Sequence, residues 1–226
     1  MPEPITAVLF DFHSTLVDQG EPAPWLAGAW QRAGKDGTPA EGLGEEHHRQ
    51  IVAFLDELWT HGRRIDPEHT RDLGVDQHRK VFGELAAVGN LPDDLVTPLW
   101  ETMLDHWVPY DDTRPVLTAL RSAGIKVGLL SNIGLDLAPT LHRQGLDTLL
   151  DAATQSWQVG AVKPEPAIFT AALEQLGADP RQTLMVGDSW SEDGAAAGLG
   201  MRTLILPRTR GPVHGLDAVL RLVGVS

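Results

Sequence analysis

Hydrophobic positions along this chain follow two different rhythms. Near the start and through the C-terminal half they form short unbroken runs: Ile5–Phe10, Ile125–Leu130, Thr183–Val186 and Thr203–Leu206, with a shorter stretch at Asp151–Gln155. Runs of this length, β-branched and bounded by turn residues, predict strands buried on both faces of a parallel sheet. Between about 18 and 110 the apolar residues instead recur at helical spacing. Trp25–Ala33 reads as helix. Ile51, Leu55, Leu58 and Trp59 stripe Glu45–Gly62; Val81, Phe82 and Leu85 stripe Val75–Val88; Leu95, Leu99, Trp100, Met103 and Leu104 stripe Asp93–Trp107. No strand is predicted in this block, and Lys35–Gly44, rich in Gly, reads as loop.

Helical segments also separate the later strands: Val116–Ala123 with Gly124 as its cap, Leu135–Gln144, Ala167–Leu176 closed by Gly177, Gly194–Leu199 and Leu216–Val223. Strands alternating with helices predict an α/β fold, a doubly wound parallel sheet, with an all-helical domain inserted after the first strand. Linkers at Asp18–Pro24 and Pro109–Asp112 place the boundaries: residues 1–17 and 111–226 form the sheet domain, residues 18–110 the helical insert. Five of the seven tryptophans fall in the insert, where filling a small inter-helical core is their expected use.

Composition narrows the classes of function. The 226 residues carry a net charge of -13, which argues against nucleic-acid or anionic-membrane partners. The helical block holds 17 acidic against 8 basic side chains, the remainder 14 against 10, so an anionic substrate needs a cation or a few placed basic groups. With no cysteine, thiolate metal sites and a Cys nucleophile are excluded. Met1-Pro2-Glu3-Pro4 lacks the basic start of a signal peptide, and no apolar run approaches the roughly 18 residues of a membrane span. A cytoplasmic location is expected.

Candidate chemistry gathers where strands end, the edge at which open α/β sheets bind ligands. Asp11 ends the first strand, followed by His13, Ser14 and Thr15. Ser131-Asn132 ends the second, Lys163 precedes a Pro-started helix, and Asp188 ends the fourth, with Asp193 five residues on. Each has a bland alternative: Asp11 as a turn former, Ser131-Asn132 as a cap, Lys163 as a solvated charge, Asp188–Asp193 as an acidic turn. Their joint order is much less expected by chance. In the helical block, Arg63, Arg64, His69 and Arg71 form a basic cluster that reads better as a solvated face than as an anion site.

In this order the residues resemble the four motifs of the haloacid dehalogenase superfamily of hydrolases, and the resemblance extends over the whole chain, with a cap domain inserted after the first strand. It implies a Rossmann-like core with Asp11 as a nucleophile forming an aspartyl intermediate. Ser131 and Lys163 are implied to hold phosphoryl oxygens, with Thr15 and Asn132 beside them as substrate contacts. Asp11, Asp188, Asp193 and the backbone carbonyl of His13 are implied as a Mg²⁺ site. The chemistry suits these residue types, since carboxylate and phosphate repel and a divalent cation relieves that repulsion. A fixed ammonium offsets charge in the transition state.

Two departures stand out. The family's phosphatases carry a second Asp, the acid/base, where this chain has His13, and a Gly where it has Ser14. The dehalogenase branch also lacks that Asp, yet it has no metal site of the Asp188–Asp193 kind. The phosphonate-cleaving branch needs a cap lysine, for which only Lys35 and Lys80 are available. A magnesium-dependent phosphatase of a small phosphorylated metabolite is the expectation. His13 is its acid, a bystander, or a mark of lost turnover; a dehalogenase or a non-catalytic phosphoryl-binding domain is the alternative.

Overall fold

The computed structural model describes residues 3–225; Met1 and Pro2, on which part of the N-terminal reading rests, and Ser226 lie outside them. The chain divides into two compact units, one built from the described residues up to Asp18 and from Val108 onward, the other from Gln19–Trp107.

The first unit holds the strands: β1 (Ala7–Phe10), β2 (Val17–Asp18), β3 (Val108–Pro109), β4 (Lys126–Ser131), β5 (Ala152–Gln155), β6 (Thr183–Gly187) and β7 (Arg202–Ile205). Five of them form a parallel sheet in the order β5-β4-β1-β6-β7. Every residue of β1 and β6 is buried, as central strands covered on both faces require. The register sets Phe10 level with Leu129 and Val186, so Asp11, Ser131 and Asp188 all emerge at one edge. One side of the sheet packs Leu9, Leu130 and Met185 against Ile168, Phe169 and Ala172 of the helix Pro166–Leu176. The remaining helices of the unit are Thr113–Ser122, Ala138–Arg143, Ser156–Val159 and Asp217–Val223. Gly194–Leu199, expected as helix, is a run of tight 3₁₀ turns over Asp193–Leu199. Within it Gly194 and Gly198 bracket three alanines, and the two glycines weaken a regular helix.

The second unit is helical throughout: Pro22–Arg32, Pro39–Leu43, Glu45–Asp56, Leu58–Ile65, Val75–Val88 and Asp93–Thr102. Of the predicted stripe residues, Ile51, Leu55, Leu58, Val81, Phe82, Leu85, Leu95, Leu99 and Met103 are buried, joined by Leu26, while Trp59, Trp100 and Leu104 are half-buried. Trp25 and Trp30 fill this core as expected, and the Trp25 indole donates to the Leu99 carbonyl at 3.1 Å. Three expectations change here. Lys35–Gly44 contains a helix, because Thr38 and Glu41 form a reciprocal capping box around Pro39. The segment Glu45–Gly62 is two helices, broken at Glu57.

The basic cluster is the third, because it is no single solvated face. Arg63 and Arg64 are exposed, but Arg71 is buried, 3.4 Å from Asp66 and 3.5 Å from Asp72. Burying a guanidinium without partners is prohibitive, and those two carboxylates supply them.

The segments joining the units were expected as plain linkers. Instead Val17 pairs with Pro109 and Asp18 with Val108 in a two-stranded antiparallel ribbon of β2 and β3. No helix among the described residues is long and apolar enough to cross a membrane.

Candidate active site

Asp11 follows β1 directly, and its amide donates to the Val186 carbonyl at 2.8 Å, which continues the sheet ladder one residue further and fixes the carboxylate. The chain then folds into a compact loop in which the Phe12 carbonyl accepts the amides of Thr15, Leu16 and Val17, while the Ser14 amide donates to the Val17 carbonyl at 2.7 Å. Closing this loop forces Ser14 to φ 66°, a left-handed conformation that suits glycine and strains other residues. Here lies the physical difference made by serine at that position. The hydroxyl of buried Thr15, expected as a substrate contact, donates to Asp11 Oδ2 at 3.0 Å. Half-buried His13 has its Nδ1 3.4 Å from Ser14 Oγ.

Lys163 is the centre of the constellation. It is 1 % exposed, and its ammonium donates to Asp11 Oδ1 and Asp193 Oδ1, each at 2.7 Å. Burial opposes its charged form, but the carboxylates of Asp11 and Asp193 outweigh this and hold its pKa above the ordinary lysine value. An ammonium has three donors, and these two bonds engage two of them.

Asp193 reaches this position through two local features. Its Oδ2 accepts the Ser189 amide at 3.0 Å. Gly187, the last residue of β6, has no side chain where a Cβ would stand 2.1 Å from the Asp193 carboxyl carbon. Any larger residue at 187 would expel the carboxylate.

Carboxylate oxygens of Asp11, Asp188 and Asp193 all lie within 4.8 Å of one another. Burial first, then the charges of Asp11 and Asp193, push Asp188 up to about 7, against the pull of Lys163. Burial and Asp11 also raise Asp193, which Lys163 opposes. Three carboxylates thus share one ammonium, and the cluster is short of positive charge. A divalent cation with oxygen ligands fits that deficit.

Ser131, at the end of β4, is buried. Asn132 turns its carboxamide onto the backbone of Lys163, Oδ1 accepting the Lys163 amide at 2.7 Å and Nδ2 donating to the Lys163 carbonyl at 3.0 Å. Sequence reasoning passed over Glu192, whose Oε2 lies 3.4 Å from Asn132 Nδ2 and whose charge acts on both Lys163 and Asp188. The one signal for it was its place inside the acidic turn from Asp188 to Asp193.

The model of the haloacid dehalogenase-like hydrolases matches residues 5–200, and the chain belongs to that family of hydrolases. A glyceraldehyde 3-phosphate phosphatase of Methanopyrus kandleri is 28% identical over 191 residues, covering 84% of this chain and 78% of the relative. A haloacid dehalogenase-type phosphatase from Thermococcus onnurineus superposes with a TM-score of 0.65 at 27% identity, covering 98% of this chain and 99% of the other. The 2-haloacid dehalogenase from Pseudomonas syringae pv. Tomato shares the fold, with a TM-score of 0.61 at 22% identity and coverage of 97% and 98%.

Proposed function

We propose that the chain is a magnesium-dependent phosphatase of a small phosphorylated metabolite. The observation that carries this reading is the charge deficit at the sheet edge: three carboxylates within 4.8 Å of one another share one buried ammonium. Displacing a halide calls for no such excess of carboxylates, whereas a divalent cation and a phosphate dianion between them complete the site. Similarity to phosphatases of two archaea supports the same substrate class.

In this reading a carboxylate oxygen of Asp11 attacks phosphorus, and the bond to the leaving oxygen breaks as His13 delivers a proton to it. Water then attacks the phosphorus of the aspartyl phosphate, with neutral His13 accepting its proton, and inorganic phosphate leaves as Asp11 is restored. Splitting one hydrolysis into two displacements is the benefit of the covalent route. Thr15 orients the nucleophile, and Ser131 and Lys163 hold the phosphoryl oxygens, offsetting charge as it develops. Asp11, Asp188 and the His13 carbonyl would hold Mg²⁺, with Asp193 supporting the site through Lys163 and Ser189. When bound, the ion lowers the repulsion between carboxylate and phosphate. The helical unit carries substrate selection, and the reaction belongs to the cytoplasm.

Hydrolysis of aryl and alkyl phosphates, with and without Mg²⁺, tests the reading. Turnover should require the ion. Proton donation typically contributes about 10² to 10⁴ in rate, most for a poor alkoxide leaving group, so His13→Ala should depress alkyl phosphate hydrolysis far more than aryl. A small and uniform effect rules His13 out as the acid. Absence of Mg²⁺-dependent turnover on either class removes the phosphatase reading.

A further inference from the structure

Lys163 is held at its tip by two carboxylates, but an ammonium on a four-carbon stem is only as well placed as the backbone beneath it. That backbone is fixed from two sides. Within its own loop, the Val162 amide donates to Glu165 Oε1 at 3.0 Å, and the Glu165 amide returns to the Val162 carbonyl at 2.8 Å. From outside, Asn132 grips both the amide and the carbonyl of Lys163 itself, at 2.7 and 3.0 Å. A single carboxamide that accepts from and donates to the same residue fixes the peptide planes on both sides of its Cα. The remaining amide proton points toward Glu192 at 3.4 Å. One of the two donors and one lone pair are thereby committed to Lys163, with the second donor directed at Glu192.

We propose that Asn132 is a positioning residue for Lys163 and that its carboxamide does not bind the substrate. Asn132 follows Ser131, so the contact also couples the loop after β4 to the loop carrying the lysine. The two groups read as phosphoryl contacts therefore move as one body. This deepens the phosphatase reading and rests on it. Its energetic logic is preorganisation: a charge already aimed at the developing oxyanion costs nothing to reorient during the reaction.

The test pairs kinetics with a chemical probe. Asn132→Ala should lower kcat for an aryl phosphate by about 10- to 100-fold, the scale of an ångström-level misplacement, while KM moves less than about twofold. In a Lys163→Met background the same substitution should add nothing, because contacts acting through one group are not additive. Independent, multiplying losses overturn the proposal, as does a raised KM with kcat unchanged.

Acylation followed by mass spectrometry reads the geometry without turnover. Asn132→Ala should make Lys163 react faster while Lys35, Lys80 and Lys126 keep their wild-type rates. Asn132→Asp, which keeps the acceptor and loses the donor, serves as the second variant should alanine fold poorly. If wild type hydrolyses no phosphate ester, the phosphatase reading falls and labelling decides alone. A rise confined to Lys163 upholds the clamp, and an unchanged rate ends it.

Discussion

The protein buries two clusters of opposite charges, and they are built to different ends. In the helical unit, Arg71 lies against Asp66 and Asp72 and over the Trp59 ring, while His69 Nδ1 stands 3.5 Å from Asp72. Asp66 accepts the amides of Thr70 and Arg71 and the Thr70 hydroxyl, at 2.8 to 2.9 Å. Burial pushes the Asp66 carboxyl up, but these donors outweigh it and hold it below the usual range. At the sheet edge the balance runs the other way, and Asp188 is pushed up to about 7. Both clusters are buried, and both are ionic. One has every charge answered by the protein, whereas the other leaves an answer to be supplied from outside. An unanswered charge is a mark of a binding site, and a saturated one is a mark of architecture.

The sharpest way to break this comparison is to remove one carboxylate from each. Asp11→Asn should reduce turnover by roughly 10³-fold or more, as loss of a nucleophile does, without lowering the melting temperature, since like-charge repulsion falls and Lys163 keeps Asp193. Asp66→Ala should do the reverse. It breaks a buried pair, an expected cost of about 3 kcal/mol, measurable by urea unfolding followed through the tryptophans concentrated in that unit. Rate assays of the variant that remains folded should find the chemical step intact. Equal losses of stability from both variants would erase the distinction.

Acid sharpens it further. His78 is buried in the helical unit and accepts the Trp100 indole at 2.9 Å. Burial, opposed by Asp72 and aided by Arg71, pushes its pKa down to about 4 from an ordinary 6.5. Between these values the unfolded chain binds a proton that the folded chain does not, so stability falls as pH drops from 6.5 toward 4 and is flat above. The loss is at most about 3 kcal/mol for this group. His78→Gln should flatten that part of the pH–stability curve. The smallest expected effect is at the site itself: Ser14→Gly, relieving the left-handed residue, should raise stability by about 1 kcal/mol in the same urea assay.

The sheet was legible in the sequence because buried parallel strands write themselves as plain apolar runs, and Asp11 and Asp188 stand where two of those runs stop. Helices declared themselves by periodicity. The helix at Pro39–Leu43 was missed: Thr38, Pro39 and Glu41 carry its signal, but the glycines around them read as loop. What stayed hidden depends on partners distant along the chain. Nothing local distinguishes buried Arg71 from exposed Arg63, because the difference is made by Asp66 and Asp72 folding around one of them. Strands β2 and β3 are two residues each and acquire their character only from one another. Asn132 read as a substrate contact because it adjoins Ser131; its grip on Lys163, thirty-one positions away, needed the fold.

The ribbon of β2 and β3 has a consequence for how such a chain comes to exist. Since Asp18 and Val108 are register partners, the excursion through Gln19–Trp107 begins and ends at the same spot on the sheet-bearing unit. To that unit the whole helical block is equivalent to the tip of a hairpin. A tip can be lengthened at little entropic cost, because the closure cost grows only logarithmically with length. The doorway formed by these four residues therefore makes the insert exchangeable. A lineage can trade one helical block for another while the carboxylates and the lysine of the sheet-bearing unit keep their places in the chain.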